Sequence, residues 1–296
     1  MSFLHSNTSS SAITMMAAPQ EQQQQHSSSY VLEKAAYWNL QGAQFLQNGN
    51  GKAASRYLNQ ALQMIGRSFL FSDNDDAVMM EDQSQQDCMI PTIVKTLPVV
   101  LQSPQDDASN SSGFYVYNQA LLFSSSAPSS SSTSTAPSFQ MERSLAFVSA
   151  VMLFNSALGY QQQGHRAKAC HLYHKVVAVA QSATTYQEGH HHDQASSCDA
   201  MDTELFMLQL LAQNNRTALL LQTDTGPSLQ HEMRVLSQCL TAFRRQQQQA
   251  AAISSCLLLS SRPMSALLMD SRAIYDEVTL NVLIPSIARA HAAGAA

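Results

Sequence analysis

The sequence predicts an all-α, mainly helical protein built as an α-α superhelix of helical hairpins. Three observations support this prediction. Apolar side chains recur at helical spacing over most of the chain. Glycine-containing turns divide these apolar stretches into pairs. One spacing of small, aromatic and large residues occurs in two of the pairs.

Three helix pairs are predicted along the chain. They cover residues 30–65, divided at Gly49-Asn50-Gly51, residues 144–180, divided at Gly164, and residues 203–243, divided at Thr225-Gly226-Pro227. Glycine adopts the left-handed backbone conformation at little cost, so it is typical of the turn that ends a helix. Residues 246–259 predict a further helix, and residues 264–283 a last helical or mixed segment after a break at Arg262-Pro263.

A short inserted β-hairpin is predicted between the first two pairs. Residues 90–101 contain two prolines, and Phe114-Tyr115-Val116-Tyr117 is aromatic and β-branched, which favours strands over helices. We expect these two stretches to pair with each other.

The domain organisation follows from composition. Residues 1–29, rich in Ser and Gln, predict a disordered tail, because such a segment buries too little apolar surface to offset its ordering entropy. Residues 30–292 predict one helical repeat domain, with flexible insertions near residues 72–86, 102–112, 124–138 and 187–199. Residues 293–296 predict a frayed C-terminus.

Charge and targeting signals limit where the protein is expected to be located and which classes of partner it is expected to bind. The formal net charge is -5 and only 12% of residues are charged. The chain therefore lacks the clustered Lys and Arg residues that are typical of nucleic-acid-binding proteins, and we expect no nucleic-acid partner. The N-terminus has no secretory pattern, which favours the cytoplasm or nucleus over secretion. No uninterrupted apolar run reaches about 18 residues, so we expect no membrane partner; the nearest stretch, residues 144–158, leaves membrane association as an alternative.

The first two pairs share one residue spacing of 4, 3, 4, 5, 4 and 3 positions. The small residues permit two helix backbones to approach closely, and the aromatic residues fill the space one turn further on. The first copy consists of Trp38, Gly42, Phe45, Gly49, Ala54, Leu58 and Ala61, and the second of Leu153, Ala157, Tyr160, Gly164, Ala169, Tyr173 and Val176.

This order resembles the tetratricopeptide repeat. In the second copy Asn155, Gln163 and Lys175 also match residues that are usual in that family. A third, weaker copy runs from Asn215 to Leu236. The copies lie 115 residues apart (153 minus 38) and then 60 apart (217 minus 157), whereas a regular array repeats about every 34 residues. The resemblance implies stacked helical hairpins that need their neighbours to bury an apolar face.

The favoured function is a protein–protein interaction scaffold or adaptor that binds a peptide or partner protein of unknown identity. The concave surface of stacked pairs presents first-helix side chains, and Asn39, Gln44, Asn155 and Gln161 are the candidate partner-binding residues. Since these side chains are uncharged, we expect binding to depend weakly on salt.

The alternative is an enzyme with an unrecognised, metal-assisted site around Cys170, His171 and His174. Their helical spacing can place two ligands beside one metal, but structural zinc needs four convergent ligands, so exposed helix residues are the preferred interpretation. The run His190-His191-His192 is interpreted as part of a polar loop. We find no catalytic motif and expect neither catalytic residues nor a cofactor.

Overall fold

The computed structural model describes residues 28–72, 90–101, 114–126, 137–185, 200–222, 227–254, 266–269 and 271–294. Seven long helices, a single helical turn and one two-stranded sheet account for most of these residues. In chain order the elements are α1 Ser28–Gln47, α2 Gly51–Ser72, β1 Ile90–Pro98, β2 Gln119–Ser126, α3 Pro137–Gln162, α4 Arg166–Thr185, α5 Ala200–Leu221, α6 Pro227–Ser254, α7 Ala266–Met269 and α8 Ser271–Gly294.

Each long helix packs against the next along the chain, from α1 to α6, and α6 then packs against α8. The predicted mainly helical fold is therefore confirmed. Most of the predicted tail and inserted loops lie outside the described residues, as does Gly226 of the third turn. Helix α1 already begins at Ser28, β2 extends to Ser126 and α8 runs to Gly294, so these elements reach into three segments predicted to be flexible or frayed.

The first two turns have the same geometry. Gly49 and Gly164 have φ angles of 76° and 75°, the left-handed conformation that glycine accepts without strain. In each turn the amide after the glycine donates to the carbonyl of the aromatic residue five positions earlier, Asn50 to Phe45 and His165 to Tyr160, both at 2.8 Å. These bonds satisfy carbonyls that the helix end would otherwise leave free.

Small residues permit close packing within and between the first two pairs. A Cβ atom on Gly42 would lie 2.8 Å from Cγ of Leu58 in α2, so the absence of a side chain makes room for that leucine. Between the pairs, a Cβ on Gly51 would lie 2.6 Å from the carbonyl oxygen of Gly159 in α3. Of the other repeat positions, Ala54, Leu58, Ala61, Ala157, Ala169, Tyr173 and Val176 are buried, whereas Trp38, Phe45, Leu153 and Tyr160 are half-buried.

The β-hairpin exists, but its second strand differs from the prediction. Strand β1 pairs antiparallel with β2, from Ile90 opposite Ser126 to Pro98 opposite Gln119, and a bulge lies between Ile93 and Lys95. The aromatic residues 114–117 precede β2 and form no strand of their own. Their backbone groups bind helix side chains instead of a neighbouring strand, as described below.

One helix boundary and the apolar character of one helix also differ from the sequence prediction. The second helix of the third predicted pair and the helix predicted over residues 246–259 are one continuous helix, α6, which ends at Ser254, because the glutamine run at residues 246–249 is compatible with a helix. Helix α3 contains Met141–Gln162, which by length and composition could span a membrane, yet 72% of its most apolar window is buried within the protein. That burial is typical of a core helix, which is apolar on every side.

Candidate functional site

The two-stranded sheet packs against α1, α3 and α5, the first helix of each pair. Residues 114–123 lead into β2 and include its first five residues. They lie along these helices, and we call them the inner segment. Its residues Tyr117, Leu121 and Phe123 are buried, whereas residues 114–116 are half-buried. The face on which the sequence predicted a partner-binding surface is therefore covered in part by the same chain.

Asparagine side chains hold the backbone of the inner segment, and we call this set the asparagine ladder. Asn155 on α3 accepts a hydrogen bond from the amide of Leu121 at 2.9 Å and donates to its carbonyl at 2.8 Å. Asn215 on α5 does the same to Tyr117, at 2.9 and 2.8 Å. Each of these two amides thus satisfies both backbone groups of one residue.

A third asparagine that binds both backbone groups of one residue, and two asparagines that each bind one carbonyl, complete the asparagine ladder. Asn281 on α8 accepts from the amide of Tyr115 at 2.7 Å and donates to its carbonyl at 2.8 Å. Asn214 donates to the same carbonyl at 3.0 Å, and Asn39 on α1 donates to the carbonyl of Leu121 at 2.7 Å. Two side-chain pairs of the ladder are also hydrogen-bonded to each other. Asn155 donates to Asn39 and Asn281 donates to Asn214, both at 2.7 Å.

The asparagine ladder is deeply buried, since its five members have exposed fractions of 1% or less. A buried amide without partners would cost about 1–3 kcal/mol, so these bonds fix both the side chains and the backbone that they bind. Because the bonded groups are backbone amides and carbonyls, the ladder recognises an extended chain and not a particular side chain. The side chains of the inner segment pack among helix residues, for example where the Tyr117 ring lies 6.1 Å from that of Phe154.

The four candidate partner-binding residues lie in different environments. Asn39 and Asn155 are buried and bind the inner segment. Gln44 is exposed on α1, and Gln161 is half-buried and accepts a hydrogen bond from the Tyr173 hydroxyl at 2.9 Å. The sequence pattern did not indicate Asn214, Asn215 or Asn281 as partner-binding residues. One feature of the sequence could have indicated Asn215. It lies 60 positions after Asn155 (215 minus 155), which is also the offset between the second and third copies of the repeat.

Tyr173 connects the ladder to the second pair. Its hydroxyl accepts a hydrogen bond from Asn215 at 3.1 Å, and its ring lies edge-on to that of Phe154 at 5.5 Å. Burial raises the pKa of Tyr173 well above its ordinary value, and the hydrogen bond from Asn215 opposes this effect.

This raised pKa predicts a loss of stability in alkali. The unfolded tyrosine ionises near pH 10, whereas the folded one keeps its proton, so the free energy of unfolding falls as the pH rises above about 10. We expect Tyr173→Phe to show a smaller fall between pH 9 and 11 in urea titrations, and the exposed Tyr37→Phe to retain the wild-type fall. Equal slopes for Tyr173→Phe and wild type would contradict this assignment.

The residues of the alternative metal site lie on α4. Cys170 is half-buried, and His171 and His174 are exposed and line an open depression of about 500 Å³ between α4 and α5. Within the described residues, no three His, Cys, Asp or Glu side chains are grouped so that they could hold one metal ion.

A second cysteine, Cys239, lies on α6. Burial raises the pKa of its thiol, and the hydrogen bond from Gln209 has a smaller, opposite effect on that pKa.

Comparison with known proteins gave no relative, since the chain matches no family model, no curated protein and no solved structure.

Proposed function

We propose that this chain is a tetratricopeptide-like scaffold for protein–protein interaction, which binds an extended segment of polypeptide along the first helices of its pairs. The asparagine ladder carries this proposal. Asn155, Asn215 and Asn281 each bind both backbone groups of one residue, at positions 121, 117 and 115 of the inner segment. Such contacts suit any chain that is extended and lacks proline at those positions.

The inner segment is the resident occupant of this surface, and its burial sets how firmly it is held. Tyr117, Leu121 and Phe123 are buried, and each such side chain contributes about 1.5–3 kcal/mol. The segment is therefore held by roughly 5 kcal/mol or more. A separate peptide finds an open surface in fewer than about one molecule in a thousand, and its apparent dissociation constant increases by that factor. The scaffold is consequently closed until the inner segment is released.

Peptide exchange after cleavage tests this proposal. One protease recognition sequence is introduced within residues 102–113 and another within residues 127–136, so that cleavage separates the inner segment from the rest of the folded protein. We expect the cut protein to retain the released peptide on gel filtration and to exchange it for a labelled synthetic copy of residues 114–126. The uncut protein should bind that copy at least about a thousandfold more weakly.

A matched peptide controls for nonspecific apolar binding. A copy with Leu121→Pro has no amide hydrogen at the position where Leu121 donates to Asn155, so it should compete poorly. Exchange should change little between 50 and 300 mM NaCl, because the bonded groups are uncharged. A Leu121→Pro peptide that exchanges as well as the native one would refute backbone recognition by the ladder.

A further inference from the structure

The exposed surface of α4 is positively charged in a chain whose acidic residues outnumber its lysines and arginines, 21 to 16. Helix α4, Arg166–Thr185, contains Arg166, Lys168, His171, His174 and Lys175 and no acidic residue. All of these side chains are exposed except Arg166, which is half-buried. The three cations of this helix are therefore not offset by an acidic residue of the same helix.

This charge borders an apolar trough. The depression between α4 and α5 is lined by Arg166, His171, His174 and Arg216 and by the apolar residues Leu219 and Leu220. A second depression of about 340 Å³ adjoins it, shares His171 and is lined by Lys168, Tyr160 and Leu172. Among the residues that the structure describes, no carboxylate lines either depression. We call the two depressions together the basic trough.

Arg216 has unused hydrogen-bonding capacity. Its Nη1 lies 2.9 Å from a carboxylate oxygen of Glu232, which is buried and also accepts a hydrogen bond from Gln213 at 2.7 Å. Its Nε is buried and has no hydrogen-bond partner among the described residues. Glu232 therefore neutralises part of the charge of Arg216 but leaves one of its donors unsatisfied, which is unfavourable for a buried polar group.

We propose that the basic trough binds an acidic peptide segment of a partner protein, with its carboxylates at Arg166, Lys168 and Arg216 and an apolar side chain on Leu219 and Leu220. Carboxylates are the natural partners of guanidinium groups, which bind them through parallel N–H donors. The apolar lining distinguishes an acidic segment that carries a Leu or Phe from a uniformly charged one. This site is separate from the asparagine ladder and acts through charge, so its binding is sensitive to salt.

A fluorescence titration of the full-length protein tests the proposal. The probe is a labelled peptide in which Leu-Phe is flanked on each side by three Glu, and a second probe has Gln in place of every Glu. We expect saturable binding of the acidic probe only, weakened roughly tenfold or more when NaCl is increased from 50 to 300 mM. Arg166→Glu combined with Lys168→Glu should weaken it by a similar or larger factor.

The matched control reverses the same number of charges elsewhere. Arg244 and Arg245 are both exposed on α6, and neither lines the basic trough. Arg244→Glu combined with Arg245→Glu should leave the affinity for the acidic probe within about twofold of wild type, since only a long-range effect remains. Circular dichroism melts of both double variants verify that each is folded.

Three outcomes would overturn the proposal: no saturable binding to wild type, equal weakening by both charge reversals, or equal affinity for the Gln probe. Strand exchange on the asparagine ladder is expected to persist in the Arg166→Glu, Lys168→Glu variant. Loss of acidic-probe binding together with intact exchange therefore supports two separate sites, whereas unchanged acidic-probe binding with intact exchange removes the trough and leaves the scaffold proposal standing.

Discussion

Asn155→Ala should lower the free energy of unfolding by about 3 kcal/mol, because it leaves buried polar groups without partners. The Leu121 amide loses its acceptor, and Asn39 loses the donor that binds its side-chain oxygen. The Leu121 carbonyl keeps one bond, from Asn39, so the loss is smaller than if both amides were removed. Urea denaturation followed by circular dichroism measures the change.

Asn59→Ala is the matched control for this prediction. Asn59 is exposed on α2, so its replacement changes no buried bond and should alter stability by less than about 0.5 kcal/mol. If Asn155→Ala unfolds at the same urea concentration as Asn59→Ala, the asparagine ladder does not hold the inner segment in solution.

Gly51→Ala should destabilise the protein by about 2 kcal/mol, through a clash between the first two helix pairs. The added Cβ would lie 2.6 Å from the carbonyl oxygen of Gly159 and 3.0 Å from Nε2 of Gln163. A backbone carbonyl cannot turn aside as a side chain can, so α2 and α3 must separate. The melting temperature and the urea midpoint should both fall.

Gly66→Ala provides the control in the same helix. No heavy atom lies within 4 Å of a Cβ at Gly66, so alanine meets no obstacle there. Its higher helix propensity should raise stability by about 0.5–1 kcal/mol. Opposite signs for the two substitutions would support the close approach of α2 and α3, whereas a stabilising Gly51→Ala would contradict it.

The helices and their turns could be predicted from the sequence because their causes are local. Apolar periodicity located the first two pairs, and Gly49 and Gly164 marked turns that have the expected positive φ. The end of α6 was predicted less well. The sequence predicts a separate helix over residues 246–259, but one continuous helix runs to Ser254, since a fading apolar stripe does not by itself end a helix.

The candidate site was predicted only in part. The sequence pattern predicts Asn39 and Asn155 as partner-binding residues, and both contribute to the asparagine ladder. It assigned them to an external partner because nothing in their local pattern shows that the same chain supplies the backbone they bind. Asn281 gave no signal at all, as it lies on α8, beyond the recognised copies.

The sequence by itself determined a mainly helical chain with repeated hairpin turns, since apolar spacing and glycine conformation act over a few residues. Only the tertiary structure decided that the inner segment covers the first helices and that β2 begins at Gln119. The physical reason is that the backbone of residues 115–121 bonds to asparagines 34 to 166 positions away, a pairing that depends on how the helix pairs stack.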